Sequence, residues 1–292
     1  TGTLYGGSQA AGNNGFMGGA VAVVTAAPDA RASREVGARF GTRGDQGVSL
    51  DFNQPLSGTV AARVSADGSQ VDSETDFVTH KRLAFQPSLA WRPDADRELV
   101  LRYRHQESAG RDFSGLPRKG TVEAALWAVP RSRNLTADGL PDSEAVTDII
   151  NAQWSQRINS TWSWNLQLAQ VRASVDQRGV FPLDSTTFGW PATSALDGPY
   201  YGLFGARLWN QMESTVVAPS LTGKFVAAGA KHTVTAGLDF DRTKDDAFLR
   251  FSPNFGFLGI VDIANPLNPA WAEADTTGAP DQINRYQSTS LW

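Results

Sequence analysis

The 292-residue chain contains no cysteine, which excludes a disulfide framework and any thiolate metal site. It has no apolar run near the ~18 to 20 residues of a membrane-spanning helix; the best is "AVAVV" at 20–24. There is no excess of positive charge either, with 26 Lys and Arg against 30 Asp and Glu, so a nucleic-acid partner is not expected. The three histidines, His80, His105 and His232, stand far apart without metal-ligand spacing, and no metal site is expected. No GxxxxGK[ST] phosphate loop occurs. Nothing local marks a serine nucleophile beside a histidine, so the chain does not read as an enzyme. It opens at Thr1 without an initiator Met or a signal peptide, and is read as a mature or truncated piece.

What is abundant is large rings, nine Trp, fifteen Phe and five Tyr, in a chain of low mean hydropathy (-0.30). Many of them sit in period-two patterns. In "TWSWNLQL" (161–168), Trp162, Trp164, Leu166 and Leu168 alternate with Thr161, Ser163, Asn165 and Gln167, as a strand with one apolar and one polar face requires. Similar runs lie at 48–53, 60–65, 82–92, 99–104 and 233–241. Short breaks ("PLSG" at 55–58, "RPDAD" at 92–96, "RINS" at 157–160, "AAGAK" at 227–231) alternate with long ones near 109–144, 176–207 and 245–285. "RGD" at 43–45 reads as a tight turn between the first two strands. Short turns at one end, long loops at the other and strands of roughly 9 to 14 residues suit a β-barrel crossing a bilayer, with lipid outside and a polar lumen inside. A soluble β-sandwich or propeller is the alternative that the alternation leaves open. Pro87 and Pro219 fall inside apparent strands and are expected near a rim, where a missing N–H is tolerated.

The first 28 residues differ, being Gly-rich and then apolar on both faces. "GTLYG" at 2–6 and "GGAVAVVTAAP" at 18–28, followed by "NQPLSG" at 53–58, "DFVTHKRLAFQPSLAWRPDAD" at 76–96, "SGLP" at 114–117 and "VDIANPLNP" at 261–269, resemble in order and spacing the TonB-dependent outer-membrane receptors of the siderophore type. The link "GSQAAGNNGFM" is longer than that family's usual one. The resemblance implies an all-β fold: the C-terminal end of a plug domain at 1–30, then at 31–292 the N-terminal portion of an antiparallel transmembrane β-barrel, about ten of roughly 22 strands. A complete ten-stranded barrel ending in the aromatic Trp292 is the competing reading. The implied function is active uptake of a ferric siderophore in the bacterial outer membrane. Iron would be carried as cargo without a resident cofactor, and the energy-coupling TonB complex would engage an upstream segment. A passive porin, a surface adhesin, or the same receptor class with a cobalamin or sugar cargo are the alternatives.

By that resemblance Tyr5 lies at the plug apex and faces the ligand. Arg111, Trp127, Trp190, Tyr200, Tyr201, Phe204, Arg207 and Phe255 fall in predicted long loops and offer stacking surfaces or charge. Arg39, Arg63, Arg82, Arg102 and Arg104, interleaved with Glu35, Asp51, Asp239 and Asp241, read as a lumen-facing charge network that grips the plug. The alternative is that these guanidinium groups form a path for an anionic chelate.

Overall fold

A computed structural model of the chain describes residues 2–5, 20–23, 25–118, 120–123, 125, 127–183, 199–278 and 280–292. Two short strands, β1 (Gly2–Tyr5) and β2 (Ala20–Val23), form an antiparallel pair of their own. The rest is one antiparallel sheet: β3 (Ser33–Phe40), β4 (Gln46–Pro55), β5 (Val60–Asp72), β6 (Thr79–Asp94), β7 (Arg97–Gly110), β8 (Ser143–Arg157), β9 (Trp162–Leu183), β10 (Tyr200–Ala227), β11 (Ala230–Phe251), β12 (Phe257–Asp262) and β13 (Gln282–Leu291). Strands β3 to β11 pair in chain order and β13 pairs with β11. Beyond a five-residue excursion, β12 resumes pairing with β10 where β11 leaves it, Ala206↔Phe251 giving way to Phe204↔Phe257. This is the all-β, antiparallel wall that the alternation predicts.

Tight turns make the hairpins. At one end Ala228 and Gly229 (φ 52° and 77°) close β10 onto β11 in two residues, and at the other Arg43 and Gly44 (φ 58° and 63°) turn β3 into β4. Positive φ at both central positions matches the right-handed twist of the flanking strands.

Register separates two faces. The row Leu89↔Leu101↔Ala152↔Leu168↔Val217↔Phe240 runs across six strands on the apolar face. On β6 the apolar run begins at Leu83, six residues above that row, whereas on β11 it begins at Phe240, in the row itself. A descent of six residues, ~20 Å at ~3.3 Å each, over five strand spacings of ~4.8 Å, corresponds to strands tilted ~40° from the normal of the apolar band. That is the tilt of a barrel wall. The band's side chains, such as Leu83, Leu168 and Leu238, are solvent-accessible on the isolated sheet.

Two expectations need correction. The strands β9, β10 and β11 are 22, 28 and 22 residues long, so much of what reads as loop at 176–207 and 245–285 is paired strand. Above the band the period-two contrast is lost: charges appear on the apolar side (Asp176, Arg178, Arg207) and rings on the polar side (Phe181, Phe204), yet the ladder continues from Trp209↔Asp176 up to Gly202↔Leu183. Pro87 and Pro219 lie inside the band, not at a rim. Each opens the ladder to one neighbour, between Phe85↔His105 and Ser88↔Arg102 and between Val217↔Phe240 and Ser220↔Gly237, while pairing persists on the other side at Val64 and Leu166.

The one sizeable apolar core among the described residues sits above the band. Val180, Tyr201, Leu203 and Val261, on the same face as the band, are covered by Val129, Leu135, Ala137 and Leu140 from the 111–142 connection and by Ile263 from the connection after β12. The two covering segments are joined by a parallel bridge, Asp138 N–H to Pro269 O (2.8 Å) and Trp271 N–H to Asp138 O (2.8 Å).

Candidate functional site

Which face is inside is decided by the N-terminal segment, which lies on the polar face. Buried Asn53, one residue off the end of the band, donates from Nδ2 to the Asp29 carbonyl (3.2 Å), the Asp29 carboxylate (2.9 Å) and the Arg31 carbonyl (2.5 Å), and its Oδ1 accepts from Asp29 N–H (3.1 Å). Arg92 Nη2 donates to the Pro28 carbonyl (2.9 Å). Farther up the wall Thr25 borders a ~290 Å³ cavity with Gln86, Arg102, Arg104 and Asn151. The chain leading out of the β1–β2 pair is therefore fastened to the inner wall.

The register puts Glu35, Arg39, Asp51, Arg63, Arg82, Arg102 and Arg104 on this inner face, as expected. Arg63 grips Asp51 (2.9 Å), Arg39 pairs with Asp45 (3.0 Å), and Arg82 stands 3.8 Å from Asp67. Arg104 donates to Gln106 (2.7 Å), and Arg102 reaches Asn151 at 3.5 Å. Asp239 accepts from Trp292 Nε1 (3.0 Å), and Asp241 from Ser214 and Thr243 (3.2 and 3.0 Å). Glu35 lies opposite Asp51 across β3 and β4, so Arg63 also offsets a like-charge juxtaposition.

At the upper end of the inner wall is a recess of ~470 Å³, lined by Ser69, His80, Arg82, Ser108, Asp112, Ser143 and Gln177. Its size is that of a small-molecule site. Gln177 Nε2 donates to Asp112 (2.5 Å), joining the loop start to β9. Sequence reasoning missed His80, Ser108, Asp112 and Gln177. The available signal was the shared parity of His80 and Arg82 at the end of one strand.

The residues expected in loops are dispersed. Tyr200, Tyr201, Phe204 and Arg207 belong to β10 and not to a loop, because the pairing with β9 continues past them or, at Tyr200 and Tyr201, passes to β12. Tyr201 is buried in the outer core, and Phe204 is buried beside Phe257, ring centroids 5.5 Å apart. Arg207 points outward, clamping Asp176 through two bonds of 2.8 Å and reaching Glu273 (3.1 Å). Arg178 joins both carboxylates (3.1 and 3.3 Å), and Trp271 Nε1 donates to Glu273 (3.0 Å). This cluster pins the 263–281 connection to the wall. At the far end of that connection, a hydrogen bond from Arg250 holds the Asp281 carboxyl below the ordinary carboxylate range.

Arg111 donates to the Leu140 carbonyl (2.7 Å) and Trp127 packs against the outer core, so both serve the 111–142 cover. Tyr200 is exposed at the start of β10. Phe255 is 97 % exposed at φ 57°, a strained left-handed position for a bulky residue, at the tip of the excursion between β11 and β12. The backbone of Tyr5 pairs with Ala20 at the end of β1. Trp190 lies outside the described residues.

No family model matches the sequence. Among curated proteins it is 25% identical over 275 residues to the ferrioxamine B receptor of Salmonella typhimurium, covering 92% of this chain and 36% of the receptor. It is 23% identical over 298 residues to the ferrichrome outer membrane transporter/phage receptor of Escherichia coli K12, covering 94% and 39%. The chain thus spans little more than a third of the relatives it matches. The ferripyoverdine receptor of the Pseudomonas aeruginosa outer membrane, bound to ferripyoverdine, superposes on 98% of it with a TM-score of 0.79 at 18% identity, using 37% of that receptor. The chain carries the fold of an outer-membrane siderophore-receptor barrel. In such a barrel wall the tilted apolar band is the surface that meets the bilayer, and the face holding the N-terminal segment is the lumen.

Proposed function

We propose that the chain is the plug end (1–30) and the first part of the barrel wall (31–292) of a receptor that takes up a ferric siderophore actively. Ligand is captured at the outer mouth, and uptake is driven through a TonB-type complex engaging a segment upstream. The observation that carries this reading is the fastening of Pro28, Asp29 and Arg31 to Arg92 and Asn53 on the inner wall. A passive porin, whose bore is open, has no use for an N-terminal segment fastened along its inner wall. Relatives named for ferrioxamine B and ferrichrome support a ferric chelate as cargo. The protein acts by binding and movement and not by covalent chemistry, with iron entering as cargo.

The geometry redistributes the ligand contacts. Arg111, Trp127, Tyr201 and Arg207 hold the outer cover together, whereas Tyr5, Tyr200, Phe255 and Trp190, with His80, Arg82 and Gln177 of the recess, are the contacts we assign to ligand. The inner charge network apart from Arg82, that is Arg39, Arg63, Arg102 and Arg104 with Glu35, Asp51, Asp239 and Asp241, is assigned to holding the plug. Titration of the full-length parent in detergent with ferric hydroxamates and catecholates, read by Trp quenching and repeated with Tyr5→Ala, tests this. Saturable binding that weakens at least about tenfold in the variant is expected; a folded receptor that binds no chelate points to a cobalamin, a sugar or a passive pore.

A further inference from the structure

The outer cover is where protein partners run short. Seven buried side-chain polar atoms among the described residues have no protein hydrogen-bond partner, and only one of them, Arg102 Nε, belongs to the wall. Five are in the 111–142 connection, among them Asn134 Nδ2 and Thr136 Oγ1, and the last, Asn268 Oδ1, is in the 263–281 connection. Atoms so enclosed cost stability if they stay unbonded, so each calls for a partner. The topology brings three of them together. The parallel bridge sets Asp138 beside Ala270. Parallel segments advance in step, so two residues before each end of the bridge Thr136 comes beside Asn268. Asn268 precedes Pro269, which holds it extended. Leu135, Ala137 and Trp271 pack on the apolar core, which leaves Asn134, Thr136 and Asn268 to the other side of the paired segments. Asn134 and Thr136 are nevertheless only 3% exposed.

The three atoms suit one small guest. Asn134 Nδ2 only donates, Asn268 Oδ1 only accepts, and the Thr136 hydroxyl does either. A metal cation would meet the amide N–H, where it needs a shell of oxygens, and an anion would meet the Asn268 oxygen. A water donates two hydrogen bonds and accepts two, so it satisfies all three atoms at once. We propose that one buried water bridges Asn134, Thr136 and Asn268, and that this water and the Asp138 bridge together join the 111–142 connection to the 263–281 connection. The site is independent of the cargo and of the receptor reading above.

The test uses the full-length parent in detergent. A high-resolution map of the unsubstituted protein is expected to show one peak at ~2.7–3.2 Å from Asn134 Nδ2, Thr136 Oγ1 and Asn268 Oδ1. No peak there, or a peak ringed by oxygens at ~2.3–2.6 Å as a cation would be, overturns the assignment. Thr136→Val and Asn268→Leu each remove one contact of the water while nearly keeping the side chain's shape. Hydrogen exchange at the Asp138 and Trp271 amides is expected to quicken about tenfold in either variant. The double variant is expected to be no more than about threefold faster than the faster single one, because both substitutions release the same water. Unchanged protection in the β4–β5 ladder reports that the wall is folded in each variant. Single variants without effect, or losses that multiply to about a hundredfold, overturn a shared water.

Discussion

Replacing Ile263 by Ala separates the stability of the outer cover from that of the wall. Ile263 is fully buried in a core made with Leu203 and Val261, themselves at most 1% exposed. Three carbons are lost at about 0.8 kcal/mol each, and a cavity term of about 1 kcal/mol brings the cost to roughly 3 kcal/mol. The barrel wall keeps its ladders without this contact, so the cost falls on local opening of the two connections, whose equilibrium should rise about a hundredfold. Hydrogen exchange on the full-length parent in detergent reads this directly. Amides at Asp138 and Trp271, which bond across the two connections, should lose about two orders of magnitude of protection, while those in the β4–β5 ladder stay unchanged. A uniform loss over both regions would refute the view of the cover as a separate cooperative unit, and no change would refute the packing argument.

Two further perturbations test the faces. Asn53→Ala removes donors from three acceptors and should loosen residues 28–31 by about 1–3 kcal/mol, seen as faster proteolysis there. Asn53→Asp should be worse than Ala, because a carboxylate donates nothing and would face the Asp29 carboxylate. Leu166→Arg, within the band, should cost ~2–4 kcal/mol in folding into vesicles, whereas Gln167→Arg, one residue on and lumen-facing, should cost less than about 1 kcal/mol; equal costs would show the two faces to be misassigned.

Where one face of a strand meets lipid and the other a wet lumen, the side-chain period is strict, and from Leu83 to Trp91 or Trp162 to Leu168 it can be read without a structure. Above the bilayer that contrast ends. Asp176 and Arg207 read as loop charges, yet they are strand residues that neutralise each other in a cluster with Arg178 and with Glu273, a partner 66 residues from Arg207. Phe181 and Phe204 read as loop rings, and their shared surface exists only through register. Asn53 read as the start of a turn; its bonds run to Asp29 and Arg31, 24 and 22 residues back, and no local pattern announces them. The recess failed to show for the same reason, since it draws on five strands and a loop start, each giving one to three polar residues that are unremarkable alone.

The bridge between Asp138 and Trp271 constrains the order of assembly. Its partners are more than 130 residues apart, and the Leu203 surface they cover forms only after β9 and β10 have paired. The 111–142 connection must therefore wait, unprotected, through the making of β8 to β12, since loop closure over that separation is slow and late. During that interval the longest strands of the wall expose an uncovered apolar outer flank to whatever escorts the chain to the membrane. A nascent receptor halted at that stage would be open to proteolysis at the 111–142 connection, and that vulnerability would close only when the 263–281 connection arrives.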